Sequence, residues 1–189
     1  MSVKSTLLIG LGNPLAGDDG IGWHVAEQLL NDPRMPDDIE VLRGGTDLLR
    51  HAKRMTGRTQ VVLVDALLDR AEMGTVQSFD NAMPDLDGEQ EHIHHLSPVQ
   101  AVRLLREVVP VLKATRFRLI TISINSSSLG CQLSPTLASR VPQILQRILC
   151  ELSHPRTPKG TRMFWQCEGT SVIVADGPTP SRVDEKVWD

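Results

Sequence analysis

The feature that most constrains this chain is the alternation of short apolar runs with stretches of helical periodicity. Leu7-Leu8-Ile9-Gly10-Leu11, Ile39-Glu40-Val41-Leu42, Gln60-Val61-Val62-Leu63-Val64-Asp65 and Arg118-Leu119-Ile120-Thr121-Ile122-Ser123-Ile124 read as β-strands, with Thr75 to Phe79 as a shorter one. The first and third runs are apolar without alternation, the pattern of strands covered on both faces of a parallel sheet. Between the first two, Ile21, Val25, Ala26, Leu29 and Leu30 recur at three- and four-residue spacing until Asp32-Pro33 ends the helix. A second helix is expected from Asp47 to Met55. The other two follow Ser97-Pro98 and Ser134-Pro135, where serine suits the N-cap and proline the first helical position. Repeated alternation of this kind predicts an α/β fold: a three-layer sandwich whose mostly parallel, twisted sheet of about five strands carries helices on both faces.

With 189 residues, the chain has room for one domain and an appendage. We expect the α/β domain to occupy residues 1–152 and residues 153–189 to form an extension of unknown role. The extension is punctuated by Pro155, Pro158, Pro178 and Pro180, with Met163 to Trp165 and Ser171 to Ala175 as candidate short strands. Twenty Lys and Arg against 23 Asp and Glu leave a net charge of −3 without a basic stripe, which argues against nucleic acid as a partner. Cys131, Cys150 and Cys167 have neither zinc-site spacing nor the density of a disulfide framework, so a reducing cytoplasm is expected. The apolar run near Leu7 is too short for a secretory signal, and no apolar stretch reaches the roughly 18 residues of a membrane span, so neither secretion nor membrane insertion is expected.

Three segments carry chemistry. The first is Gly10-Leu11-Gly12-Asn13-Pro14-Leu15-Ala16-Gly17-Asp18-Asp19-Gly20-Ile21-Gly22. A dinucleotide fingerprint would need a glycine where Leu15 stands, and Asp18 and Asp19 would put anions where a pyrophosphate meets the helix, so a nicotinamide cofactor is rejected. Helix capping accounts for one of these two aspartates but not both. The second is Asp65, which ends an apolar strand where open α/β sheets bind ligands, though a turn or capping role fits equally well. Asp69 lies further into the following loop and is expected to be solvated. The third is Glu91-His92-Ile93-His94-His95-Leu96, with three histidines in the loop before a helix. Imidazole with two carboxylates makes an open ligand set for a borderline metal such as zinc or nickel, and a merely polar loop is the competing reading. His24, His51 and His154 stand in separate contexts and are expected at the surface.

Taken together, the first segment, Val64-Asp65-Ala66 and His94-His95-Leu96-Ser97 resemble the hydrogenase maturation endopeptidases, which remove a C-terminal extension from the large subunit of nickel–iron hydrogenases after nickel insertion. The resemblance covers about residues 5–150 and includes Gly44-Gly45-Thr46 and Leu133-Ser134-Pro135. It implies that Asp19, Asp65 and His94 bind nickel, with Asp19 and Asp65 at the centre of catalysis, and that Asp18 serves as a helix cap. The family spacing selects His94 over His92 and His95. It further implies that nickel is supplied by the substrate, the large-subunit precursor, and that both carboxylates start as anions unless the site buries them closely. This chain departs from the family pattern at Ser123-Ile124-Asn125-Ser126, where members often have Gly-Ile-x-Pro. Two other readings are weighed. One is a nickel-sensing maturation chaperone that does not cut. The other is a peptidyl-tRNA hydrolase, which shares Gly10-Leu11-Gly12-Asn13-Pro14 and nothing beyond it.

Overall fold

A computed structural model describes residues 4–80, 96–126 and 129–153. Strands β1 (Thr6–Leu11), β2 (Ile39–Gly45), β3 (Gln60–Leu68), β4 (Val76–Asp80) and β5 (Arg116–Ile124) form one sheet in the order β2-β1-β3-β5-β4. All neighbouring strands run parallel except β4, which lies antiparallel along β5. Helices α1 (Ile21–Leu29), α2 (Ala52–Met55), α3 (Pro98–Val108) and α4 (Pro135–Ser153) cover it.

The period-two geometry of a strand sends successive side chains to opposite faces, so each apolar run fills two cores. Leu8, Val62, Val64, Ile120 and Ile122 pack against Ile21, Val25 and Leu29 of α1 and Leu137, Ile144 and Ile148 of α4. Leu7, Ile9, Val61, Leu63, Phe117 and Leu119 face the other way, onto Met55 of α2 and Val99, Val102 and Leu105 of α3. Each of these fully buried aliphatic side chains contributes about 1.5–3 kcal/mol relative to exposure, and this burial on both faces holds the three layers together.

The serine caps form as expected. Ser97 Oγ accepts the N–H of Gln100 (3.3 Å) while the Gln100 side chain accepts the Ser97 N–H (3.1 Å), a reciprocal capping box. Ser134 Oγ accepts from Leu137 N at 3.3 Å at the start of α4. The helix expected from Asp47 to Met55 is a 3-10 turn (Leu49–His51) followed by one α-helical turn. Asp47 diverts the chain by accepting the Leu49 N–H (3.0 Å). Strand β3 outruns its expected end at Asp65 by three residues because β5 continues to pair with it as far as Leu68 and Ile124. The possible strands in residues 153–189 lie outside the described residues.

From β1 the chain moves outward to β2, then crosses back over β1 to β3. Strand order therefore reverses between β1 and β3, which opens a crevice at their carboxyl ends. Helix α1 seats unusually deeply over this point. A Cβ on Gly10 would overlap the carbonyl of Gly22, and a Cβ on Gly22 would overlap the carbonyls of Val64 and Leu11. Backbone lies on backbone there, and no side chain fits between. Gly22→Ala is expected to destabilise the fold by about 3 kcal/mol or more, read as a lower urea midpoint, because the atoms that would have to yield are main-chain atoms of the central strands.

Candidate active site

The loop after β1 carries the glycine-rich segment and folds back through a 3-10 turn (Gly17–Gly20) into α1. Gly12 has φ of 107°, a conformation L side chains rarely adopt, and a Cβ there would meet the carbonyl of Asp19. The Asp19 carboxylate accepts the Asn13 N–H at 3.1 Å. Loop and carboxylate thus fix one another, and Asp19 stays half-buried at the crevice mouth.

Asp65 enters from the neighbouring strand. Gly10 and Val64 are the last registered pair between β1 and β3, so Asp65 is the first residue of β3 beyond its partner. One carboxyl oxygen of Asp65 accepts the N–H of Ala66 at 2.9 Å. Burial pushes the Asp65 carboxyl up to about 7. The Ala66 N–H opposes this shift, and the negative charge of Asp19 adds to it. The structure therefore brings the two aspartates within electrostatic reach. Burial favours the protonated form of Asp65, the exception allowed for in the expectation that both carboxylates start as anions.

Asp18 does not cap α1, whose N-cap, Gly20, receives no side-chain bond. It is buried and reaches across to α4, where its carboxylate accepts the Ser134 N–H at 2.7 Å. An anion at a helix N-terminus is favourably placed, so Asp18 ties the β1 loop to α4. Asp69 is not solvated either. It is half-buried and accepts from Ser123 Oγ (3.1 Å) and Ala71 N (3.1 Å). His24 and His51 are half-buried, contrary to expectation. His51 Nε2 donates to the Gly44 carbonyl at 2.8 Å, and His24 has its pKa lowered by burial, opposed by the nearby Glu27.

His92, His94, His95 and His154 lie outside the described residues. The segment with the first three joins the described chain at Leu96. Arg106, in the second half of α3, stacks its guanidinium 5.1 Å from the Phe117 ring centre and donates to the Thr115 carbonyl (3.3 Å), so that half of α3 lies over the start of β5. The second half of α3 therefore lies near the amino end of β5, which the chain enters through the 3-10 turn Pro110–Ala114. Among the described residues no three His, Cys, Asp or Glu side chains gather as a metal-binding group. One polar neighbour of Asp65 escaped the sequence reading: Thr121, its registered partner on β5. The available signal was a hydroxyl residue in the middle of an otherwise apolar central strand.

This fold, with carboxylates at its switch point, defines an α/β scaffold with a ligand crevice, and comparison with known proteins makes it specific. The family model HycI, hydrogenase maturation protease, matches residues 23–151. The hydrogenase 2 maturation protease of Escherichia coli is 26% identical over 148 residues, 77% of this chain and 89% of that protein. The coenzyme F420 hydrogenase subunit delta of Methanothermobacter thermautotrophicus is 28% identical over 152 residues, 77% of this chain and 93% of that protein. Among solved structures, the hydrogenase maturating endopeptidase HybD from E. coli superposes with a TM-score of 0.64 at 24% identity, covering 78% of this chain and 91% of that one. HybD from Thermococcus kodakarensis gives 0.59 at 25%, covering 78% and 98%. The chain belongs to the hydrogenase maturation protease family and is a peptidase, which sets aside both the chaperone and the peptidyl-tRNA hydrolase readings. Among the described residues, no helix is long and apolar enough to cross a membrane.

Two measurements check the electrostatics. Asp18→Ala is expected to cost on the order of 2 kcal/mol of unfolding free energy, because it leaves a helix N–H without its anion. For Asp65, the folded state binds the proton more tightly than the unfolded chain, whose carboxyl has its ordinary value near 3.8. The contribution of Asp65 to stability therefore falls as pH rises from about 4 to about 7 and levels off above. Asp65→Asn lacks this slope, so its unfolding free energy should gain on wild type between pH 5 and pH 8, by on the order of 2 kcal/mol at the upper end. An equal difference at both pH values would refute the burial of this carboxyl.

Proposed function

We propose that this peptidase removes the C-terminal extension of a nickel–iron hydrogenase large-subunit precursor after nickel insertion, and that the substrate's own nickel is the recognition element. The observation that carries the reading is the electrostatic meeting of Asp19 and Asp65, delivered by separate segments to the crevice between β1 and β3. The family resemblance supplies His94 as the third ligand, in the segment that precedes α3 in the chain. Two carboxylates and an imidazole suit a borderline divalent cation, and three ligands leave positions for those the precursor brings. The reaction is set in the cytoplasm, in keeping with a chain of only three cysteines.

Hydrolysis adds water to the scissile carbonyl, takes one proton from that water and returns a proton to the departing amine as the C–N bond breaks. A carboxylate at the crevice can make both transfers, and we assign Asp65 as the proton carrier. Asp19, held by Asn13, presents its charge from the opposite wall. Repulsion between the two carboxylates is relieved when a cation arrives between them, which favours metal-loaded precursor over empty precursor.

The test is incubation with nickel-loaded and nickel-free precursor, followed by mass measurement of the large subunit. Loss of the C-terminal extension should occur only with the loaded form, and equal cleavage of both would overturn nickel recognition. Asp19→Asn and Asp65→Asn should each lower the processing rate at least about 100-fold while the protein stays folded. Of His92→Ala, His94→Ala and His95→Ala, only the second should abolish processing.

A further inference from the structure

Thr121 lies in the middle of β5, 2% exposed, and its hydroxyl oxygen is buried without any hydrogen-bond partner. A buried, unpaired hydroxyl costs about 1–3 kcal/mol, so its retention in a central strand calls for an explanation, of which a catalytic role is one. The sheet register gives Thr121 two polar neighbours, Gln77 on β4 and Asp65 on β3, and of the two Asp65 belongs to the candidate site. Thr121 is the β5 residue directly opposite Asp65 on β3. Registered residues on parallel strands project to the same face, and this face is shared by Leu63 and Leu119, each one pleat closer to the start of its strand. Asp65 has one oxygen engaged with the Ala66 N–H. The other has no partner from its own strand, and the nearest hydroxyl across the ladder is that of Thr121.

We propose that Thr121 is a positioning residue for Asp65: in the substrate-engaged site its hydroxyl donates to the carboxyl oxygen that Ala66 leaves free. A carboxyl held by one bond still turns about its terminal torsion, which is broad for aspartate. A second bond on the second oxygen fixes the plane and directs the remaining lone pairs at the crevice. The pairing needs only a side-chain rotation, since Cβ atoms of adjacent strands stand about 5 Å apart. The inference rests on Asp65 being part of the catalytic site, as argued above.

The experiment measures kcat and KM for processing of nickel-loaded precursor by wild type, Thr121→Val, Thr121→Ser and Asp65→Asn, with thermal midpoints for each. Valine keeps the shape and removes an unpaired hydroxyl, so the midpoint should hold or rise, while kcat falls about tenfold or more with KM for the precursor little changed. Serine keeps the hydroxyl and should restore most of kcat despite losing a methyl group. Wild-type kcat in Thr121→Val alongside an inactive Asp65→Asn would overturn the role of Thr121 and leave the site intact. Equal losses in valine and serine variants would show a packing role and also overturn it. Wild-type activity in Asp65→Asn would instead remove the reading on which the inference rests.

Discussion

The site depends on a contact with no side chain in it. Where α1 crosses β1 and β3, Gly10 and Gly22 let helix backbone rest against strand backbone, and a methyl group at either position would collide with main-chain carbonyls. This close seat forces the chain between β1 and α1 to turn tightly, with Gly12 in a conformation other residues resist and Asp19 directed back onto Asn13. If α1 lay a side-chain diameter further from the sheet, as ordinary helix-on-sheet packing places it, Asp19 would stand away from the carboxyl end of β3. The glycines therefore act on the chemistry through distance.

The two ends of the sheet treat charge differently. At the amino edge, Arg118 is buried in β5 with its guanidinium bound to Asp80 (3.0 Å) and to the Glu151 carbonyl (3.0 Å) near the end of α4, while Glu151 pairs with Arg147 at 3.1 Å. Glu40 takes both Arg54 and Arg58. Each buried charge there has an opposite charge or a helix-end dipole, which is what stability requires of desolvated ions. At the carboxyl edge, Asp65 is pushed toward neutrality by burial and faces a second carboxylate. A fold selected for stability alone would not leave like charges together, and the contrast within one molecule supports the proposal that the carboxyl edge is the working end.

Much of this architecture is legible in the amino-acid order. Apolar runs such as Leu7–Leu11 and Val61–Val64 can satisfy both faces only inside a covered parallel sheet, and Ser-Pro pairs before α3 and α4 state the helix starts locally. Where prediction departs from structure, a long-range partner intervenes. Asp18 looks like a cap for the helix beside it but serves α4, more than a hundred residues away, a choice no local rule contains. Asp65 looks like the end of a strand because its own run ends there, yet β5 extends the pairing. Its raised pKa depends on the burial supplied by other segments and on Asp19. Thr121 was passed over because one hydroxyl in an apolar strand is common, and only the register sets it opposite Asp65.

The unfavourable pair also explains how one site can serve as both gate and tool. A ligand shifts a protein only by the difference in its affinity for the competing states. Two anionic groups held together in a partly desolvated crevice repel one another, and a cation between them gains from both at once, whereas a neutral peptide gains from neither. On the proposed reading, the electrostatic cost of holding Asp19 and Asp65 together is relieved only by a precursor that carries its metal, so the rigidity that keeps them together supplies the discrimination. A looser crevice would let Asp19 and Asp65 drift into water, lowering the cost of the empty state and, with it, the preference for the loaded substrate.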